Sequence, residues 1–329
     1  MFQIKNLNLW LKNTEPQIQI LRDFSFNVEE GQTVALVGES GSGKSISMLA
    51  ATQLLDKKVF STSGEALYKN QNLNSLPLSA LQRIRNSEVA MIFQDPIGHL
   101  NPCFNIESHF TEILVLTTAK HQIRSKIIEL LIQVGITDPE SRLKMYPHQL
   151  SGGICQRVMI AMAIAGKPKL LIADEPTTAL DVTIQKQIIE LLMKLQKDLM
   201  MSLVFISHDL SLIHSFVDYV YVLYAGEVVE HGLVSKLFTQ PQHPYTELLL
   251  KSLPATHLLQ MGDPDFRLPT IPGQVVSLLQ RPKGCQLFDR CYKAQAQCKQ
   301  EFSELQRRTV LCHFPRRVGD SKLNEAPRD

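Results

Sequence analysis

Residues 38–45 read Gly38-Glu-Ser40-Gly41-Ser-Gly43-Lys44-Ser45, a spacing suited to holding phosphate. The three glycines let backbone N–H groups turn inward around anionic oxygens without obstruction from a Cβ, with Ser40 completing the loop. A helix beginning here adds the positive end of its dipole. Lys44 has the reach for β- and γ-phosphates, and the Ser45 hydroxyl is a suitable ligand for Mg²⁺. A second string, Leu170-Leu-Ile-Ala-Asp174-Glu175, ends an apolar run in two acids. Asp174 is placed to hold Mg²⁺, directly or through water. Glu175 can take a proton from water attacking a γ-phosphate, a role worth roughly 10²- to 10⁴-fold in rate. A third string, Leu150-Ser151-Gly152-Gly153-Ile154-Cys155-Gln156, offers a hydroxyl and unobstructed N–H groups at the start of a helix, a second anion site.

These residues need elements to position them. Ile4–Leu11 and Leu21–Val28 alternate apolar and polar residues as strands of an antiparallel layer. Thr33–Val37 is a short apolar run fit for a buried strand, followed by the glycine loop and a helix from Ile46 to Leu54. From about residue 95 to 165 the period becomes helical, with Ile127, Ile128, Leu131, Ile132 and Val134 as an apolar stripe. Lys169–Ala173 and Leu203–Ile206 are again strand-like, separated by a helix from Thr183 to Lys197. This alternation predicts a parallel sheet with crossover helices. Beyond Gly232, prolines at 241, 244, 254, 264, 269, 272 and 282 mark a poorly regular segment.

The string 150–156 has the form L-S-G-G-x-x-Q and resembles the signature of ATP-binding cassette (ABC) proteins. Three further positions resemble that family's motifs. Gln94 follows Val89–Phe93, as does the glutamine that senses the γ-phosphate and Mg²⁺. Ala179-Leu180-Asp181 matches the loop crossing the dimer interface, and His208 ends a strand-like run as the switch histidine does. The resemblance implies an α/β P-loop NTPase with an antiparallel β layer, a helical subdomain and a C-terminal cysteine-containing extension. The cassette covers 1–235, with the subdomain at about 95–165, and the extension covers 236–329. It further implies that two such subunits sandwich two ATP molecules, each signature facing the other subunit's phosphate loop. Glu175, His208 and Gln94 are then catalytic, and Ser45, Asp174 and Gln94 hold Mg²⁺. The family's adenine-stacking position falls on Trp10, the single tryptophan, or on the aliphatic Leu11 or Ile18; for Trp10, packing in the sheet layer is an equal alternative.

Phe93-Gln-Asp-Pro96, Leu100-Asn-Pro102, His243-Pro-Tyr-Thr246, Ile271-Pro-Gly273 and Pro282-Lys-Gly-Cys285 narrow the resemblance to the ATPase subunits of oligopeptide and dipeptide importers. That branch also includes nickel and antimicrobial-peptide relatives. It implies a bacterial importer with a second ATPase subunit, two membrane-spanning permease subunits and an extracytoplasmic solute-binding protein. The chain would then sit peripherally on the cytoplasmic face of the inner membrane. A soluble cassette ATPase acting on nucleic acid or ribosomes fits less well, because the interval from Lys44 to Ser151 contains no heptad run.

Composition agrees. The chain has 329 residues, 44% hydrophobic and 20% charged, with 34 Lys and Arg against 32 Asp and Glu. Wholesale disorder is excluded, and the net charge of +2 is too small for a polybasic nucleic-acid binder. No apolar run reaches the roughly 18 residues a membrane span requires. Met1-Phe-Gln-Ile-Lys-Asn lacks the pattern of a secretory signal, which predicts a cytosolic setting. Charge is uneven: residues 281–317 hold nine Lys and Arg against three Asp and Glu, while the remainder is slightly acidic. Such a segment could offset a bound anionic group or face lipid headgroups. Of six cysteines, Cys103 and Cys155 read as packed thiols. Cys285, Cys291, Cys298 and Cys312 are spaced more widely than zinc ligands usually are. Resemblance to the peptide branch implies a [4Fe–4S] cluster on these four, with zinc or no metal as alternatives.

Overall fold

In a computed structural model the protein is described over residues 1–115, 117–254, 267, 269–304, 306 and 310–316. The strands are β1 (Phe2–Leu11), β2 (Ile18–Val28), β3 (Thr33–Val37), β4 (Phe60–Tyr68), β5 (Gln71–Asn72), β6 (Val89–Ile92), β7 (Leu170–Asp174), β8 (Ser202–Ser207), β9 (Tyr219–Tyr224) and β10 (Glu227–Leu233). The helices are α1 (Lys44–Ala51), α2 (Leu78–Ser87), α3 (Pro96–His99), α4 (Ile106–Leu114), α5 (Lys120–Gln133), α6 (Pro139–Leu143), α7 (Gly152–Ile164), α8 (Val182–Leu199), α9 (Leu210–Ile213), α10 (Val234–Thr239) and α11 (Pro244–Lys251). They form two compact units. One gathers Met1–Asn27, Thr33–Asn74 and the described residues from Ser207 on; the other holds Val28–Gln32 and Ser75–Ile206.

The first unit contains a four-stranded layer in the order β2-β1-β4-β5. Sequence alternation foresaw β1 and β2 in this layer. The β1–β4 pairing is antiparallel, with a register irregularity between Lys5 and Asn8 where Asn6 adopts φ 46°. That single slip keeps Phe2, Ile4, Leu7 and Leu9 all buried on a strand whose strict alternation would turn Leu7 and Leu9 outward. The same unit pairs β3 with β9 in parallel and β9 with β10 in antiparallel fashion. All five residues of β3 are buried, as a continuous apolar run requires when both faces are covered. Asp218 anchors the start of β3 by accepting from the Thr33 N–H at 2.8 Å.

In the second unit β6, β7 and β8 run parallel. Every residue of β7 and β8 is buried, so this sheet reads as apolar runs. The helices between residues 96 and 164 are the expected helical region. On α5 the buried face is Ile123, Ile127, Leu130 and Leu131, while Ile132 is exposed, one step off the predicted stripe. Each full burial of such a side chain contributes about 1.5–3 kcal/mol. Arg157 on α7 ties the region together, donating to the Val134 carbonyl at 2.6 Å and to Gln187 Oε1 at 3.0 Å. After α11 come the short 3-10 turns Leu278–Gln280, Phe288–Arg290 and Ala296–Lys299, in a path as irregular as the prolines suggest.

Candidate nucleotide site

The phosphate loop joins β3 to α1. Its conformation depends on glycine at two positions. At Gly38 a Cβ would stand 2.1 Å from the Leu223 carbonyl oxygen, and Gly43, at φ 104°, is the N-cap residue of α1. The Lys44 ammonium is buried and donates to the carbonyls of Gly38 at 2.9 Å and Glu39 at 3.0 Å. Lysine thus spans the loop it closes, its head at the carbonyls where the chain leaves β3. Among the described residues, Ser42 Oγ is buried without a hydrogen-bond partner. A buried orphan hydroxyl in a glycine loop matches a loop that takes phosphate oxygens. Ser40 and Gly41 are exposed, and Ser45 is half-buried.

The acid pair lies in the second unit. Asp174 ends β7 at 4% exposure, and Glu175 follows at 8%. Glu175 has φ 44°, a left-handed conformation uncommon outside glycine, held by its N–H donating to the Ile206 carbonyl at 3.0 Å. Its carboxylate is oriented twice on one oxygen: Gln94 Nε2 donates to Oε2 at 3.0 Å and Thr178 Oγ1 donates to it at 2.9 Å. The chain therefore brings Gln94 to Glu175, 81 residues apart. Sequence reasoning missed Thr178, which no spacing rule singles out. Asp181 caps α8 by accepting from the Ile184 N–H at 3.0 Å, and Gln185 braces the loop through the carbonyls of Thr177 and Leu180.

The signature opens α7. Ser151 is the N-cap residue but makes no side-chain cap bond and is exposed, so its hydroxyl points outward from the helix start. Leu150 and Gln156 are buried, and Gln156 Nε2 has no partner among the described residues. Gly153 is kept small by Ile184, whose Cγ2 would meet a Cβ at 3.1 Å. In the first unit, His208 is exposed at the end of β8 and is followed by Asp209, the cap of α9. Trp10 is half-buried on β1 opposite Ser61.

Cys285, Cys291, Cys298 and Cys312 line one cavity together with His243, Lys293 and His313. Burial pushes the Cys285 thiol up to about 12 and Cys312 up to about 11, and raises Cys291. Among the described residues, no group of three or more His, Cys, Asp or Glu is gathered as a metal site. Cys155 is buried, its Sγ 3.5 Å from the Pro147 carbonyl. Cys103 is exposed, contrary to the packed thiol expected, because it sits in the turn after Leu100.

A glycine loop closed by lysine is the general P-loop feature; in this chain it is joined by an acid oriented by a glutamine and by a Ser-Gly-Gly helix start. The chain matches the "ABC transporter" family model over residues 21–178 and the model "Oligopeptide/dipeptide transporter, C-terminal region" over 229–298. It is 43% identical over 320 residues to the dipeptide transport ATP-binding protein DppD of Haemophilus influenzae, covering 96% of each chain. It is 43% identical to DppD of Escherichia coli over 96% of this chain and 97% of that protein. For the oligopeptide transport ATP-binding protein OppD of Bacillus subtilis the identity is 43%, over 86% and 79%. The ATP-binding cassette MJ0796, solved as a dimer in a post-hydrolysis state with ADP and Pi, superposes with TM-score 0.64 at 29% identity, over 71% of this chain and 99% of that one. The protein belongs to the ABC transporter ATPases, and within them to the oligopeptide/dipeptide transporter family.

Proposed function

We propose that the chain hydrolyses ATP to drive import of di- or oligopeptides, with Glu175 as the base. The observation that carries the chemistry is the Glu175 carboxylate, buried at a strand end and oriented by Gln94 and Thr178. Glu175 takes the proton of a water whose oxygen attacks the γ-phosphorus; the bond to the β–γ bridging oxygen breaks, leaving ADP and phosphate. Lys44 and the N–H groups of residues 38–45 hold the β- and γ-phosphates, and His208 contacts the γ-phosphate. Ser151, Gly152 and Gly153 supply the second anion site to the partner subunit's nucleotide, with Leu150 and Gln156 packing beneath it and Asp181 at the subunit junction. Trp10 offers its half-buried ring to adenine.

Ser45 would offer Mg²⁺ a hydroxyl, Asp174 a carboxylate and Gln94 an amide oxygen, donor types that suit this ion. The ion supplies charge neutralisation on the phosphates. For the [4Fe–4S] reading, support lies in four thiols lining one cavity, which His243 and His313 also line, within a basic segment. Cys285, Cys291, Cys298 and Cys312 would hold the cluster, which would cross-link these four positions of the chain. Burial raises the Cys285, Cys291 and Cys312 thiols, so loading would release protons from them. Iron and acid-labile sulfide in anaerobically purified protein test this assignment; protein without either overturns it.

For cargo, the support is the match of residues 229–298 to the peptide-transporter C-terminal region. Partners would be a second ATPase subunit, two permeases and a solute-binding protein, with the chain on the cytoplasmic membrane face. The described residues contain no helix long and apolar enough to cross a membrane. Co-purification from membranes, followed by identification of the attached subunits and uptake of labelled di- and tripeptides, tests the reading. Recovery with ribosomes or DNA alone would overturn it.

A further inference from the structure

The phosphate loop is gripped from a distant part of the chain. Arg290 lies in the 3-10 turn Phe288–Arg290 of the extension. Its guanidinium makes a two-pronged pair with Glu39, Nη1 to Oε2 at 2.9 Å and Nη2 to Oε1 at 3.0 Å, across 251 positions of sequence. The fork is itself fixed. Nε donates to the Pro272 carbonyl at 2.7 Å, Nη1 also donates to the Tyr224 hydroxyl at 3.3 Å, and the charge stands 5.7 Å from the Tyr224 ring. Arg290 is 8% exposed and the Glu39 side chain 24%. A bidentate pair held this way differs from a drifting surface ion pair.

Glu39 is the second residue of the loop, and its other polar groups are engaged as well. Its N–H donates to the Tyr245 hydroxyl at 2.9 Å, and its carbonyl accepts from Lys44 Nζ at 3.0 Å and from the Ser42 N–H at 3.2 Å. A carboxylate inside a triphosphate-binding loop repels the ligand unless a cation neutralises it, since both charges lie within a Debye length. Lys44 Nζ reaches the carbonyls of Gly38 and Glu39, and Arg290 sets its guanidinium on the Glu39 carboxylate.

We infer that Arg290 is a positioning residue for nucleotide binding: it neutralises Glu39 and holds the phosphate loop in shape, making the C-terminal extension a working part of the ATP site. The inference rests on residues 38–45 being that site. The test is calorimetric titration of MgATP into the full chain, with thermal denaturation to confirm folding. Arg290→Gln should weaken MgATP binding about tenfold, about 1.4 kcal/mol, and more at low than at high salt. Removing the stranded carboxylate should restore binding, so the double variant E39Q/R290Q recovers most of the loss. A brace that acts only by packing predicts the opposite, the double variant binding no better than R290Q. Binding by folded R290Q within twofold of wild type overturns the inference, and so does a double variant without recovery. Should R290Q fail to fold, Arg290→Lys and E39Q/R290Q carry the test. The double variant binding more tightly than Arg290→Lys, which keeps the charge but loses the fork, supports the electrostatic role; the reverse order overturns it. Lys44→Ala separates the two levels: if it binds MgATP as wild type does, the loop assignment itself is wrong, whereas its loss of binding beside an unaffected R290Q refutes only the role of Arg290.

Discussion

Gly38→Ala and Gly41→Ala make an informative pair because both glycines lie in the loop and have positive φ, yet only one is crowded. At Gly38 an added Cβ stands 2.1 Å from the Leu223 carbonyl oxygen and 2.9 Å from Ser42 Oγ. The oxygen belongs to the backbone of β9, so it cannot swing aside as a side chain would. At Gly41, with φ 78°, nothing lies within 4 Å of the added carbon. Gly41→Ala therefore carries only the cost of a left-handed alanine, about 1 kcal/mol. Gly38→Ala must also displace the loop from β9 and reaches the upper end of overpacking, about 3 kcal/mol. The expected gap is about 2 kcal/mol, resolved by urea unfolding midpoints at constant slope. The displaced loop also loses its grip on phosphate, so MgATP affinity should fall further in Gly38→Ala than in Gly41→Ala. Equal midpoints, or Gly41→Ala the less stable, would refute the claim that contact with β9 shapes the loop.

Further outcomes follow from other contacts. Burial holds His243 down to about 3, against about 6.5 in an unfolded chain. The unfolded chain therefore takes up a proton below pH 6.5 that the folded one refuses until about pH 3, and stability is lost as pH falls through this window. Between pH 7 and 5 the loss is about 2 kcal/mol; His243→Asn, which keeps an acceptor for the Tyr245 N–H, should flatten that part of the urea midpoint's pH dependence, and an unchanged slope counts against it. Asp181→Ala removes the cap of α8 and should cost about 1 kcal/mol in urea unfolding, with an unaltered midpoint disproving the cap's contribution. Thr178→Val removes one of the two donors on Glu175 Oε2, a charge-assisted bond, and should lower ATPase kcat about tenfold; undiminished turnover would show that Gln94 suffices.

The parts of the molecule readable in advance are those whose local chemistry leaves few options. Apolar runs at 33–37 and 203–206 need cover on both faces, and the glycine pattern at 38–43 permits few conformations besides a tight loop before a helix. What escaped reading depends on long-range placement. Asn6 bends β1 and so sets which residues face inward, yet nothing in Asn-Leu-Asn announces a register slip. Ile132 fits the apolar stripe of α5 but is exposed, because the packed face includes Ile123 instead. Cys103 is exposed on a turn that composition alone does not show. The Glu39–Arg290 pair joins a familiar motif to a proline-rich segment, and only the folded chain brings them together.

The central claim is that Glu175 activates the attacking water. Steady-state ATP hydrolysis by the Glu175→Gln variant in the assembled complex, measured beside its equilibrium binding of MgATP, tests this most directly. Gln is nearly isosteric and keeps the place of the carboxylate while losing its basicity. The account predicts retained MgATP binding with hydrolysis reduced by roughly 10²- to 10⁴-fold, whereas turnover near the wild-type rate would contradict it.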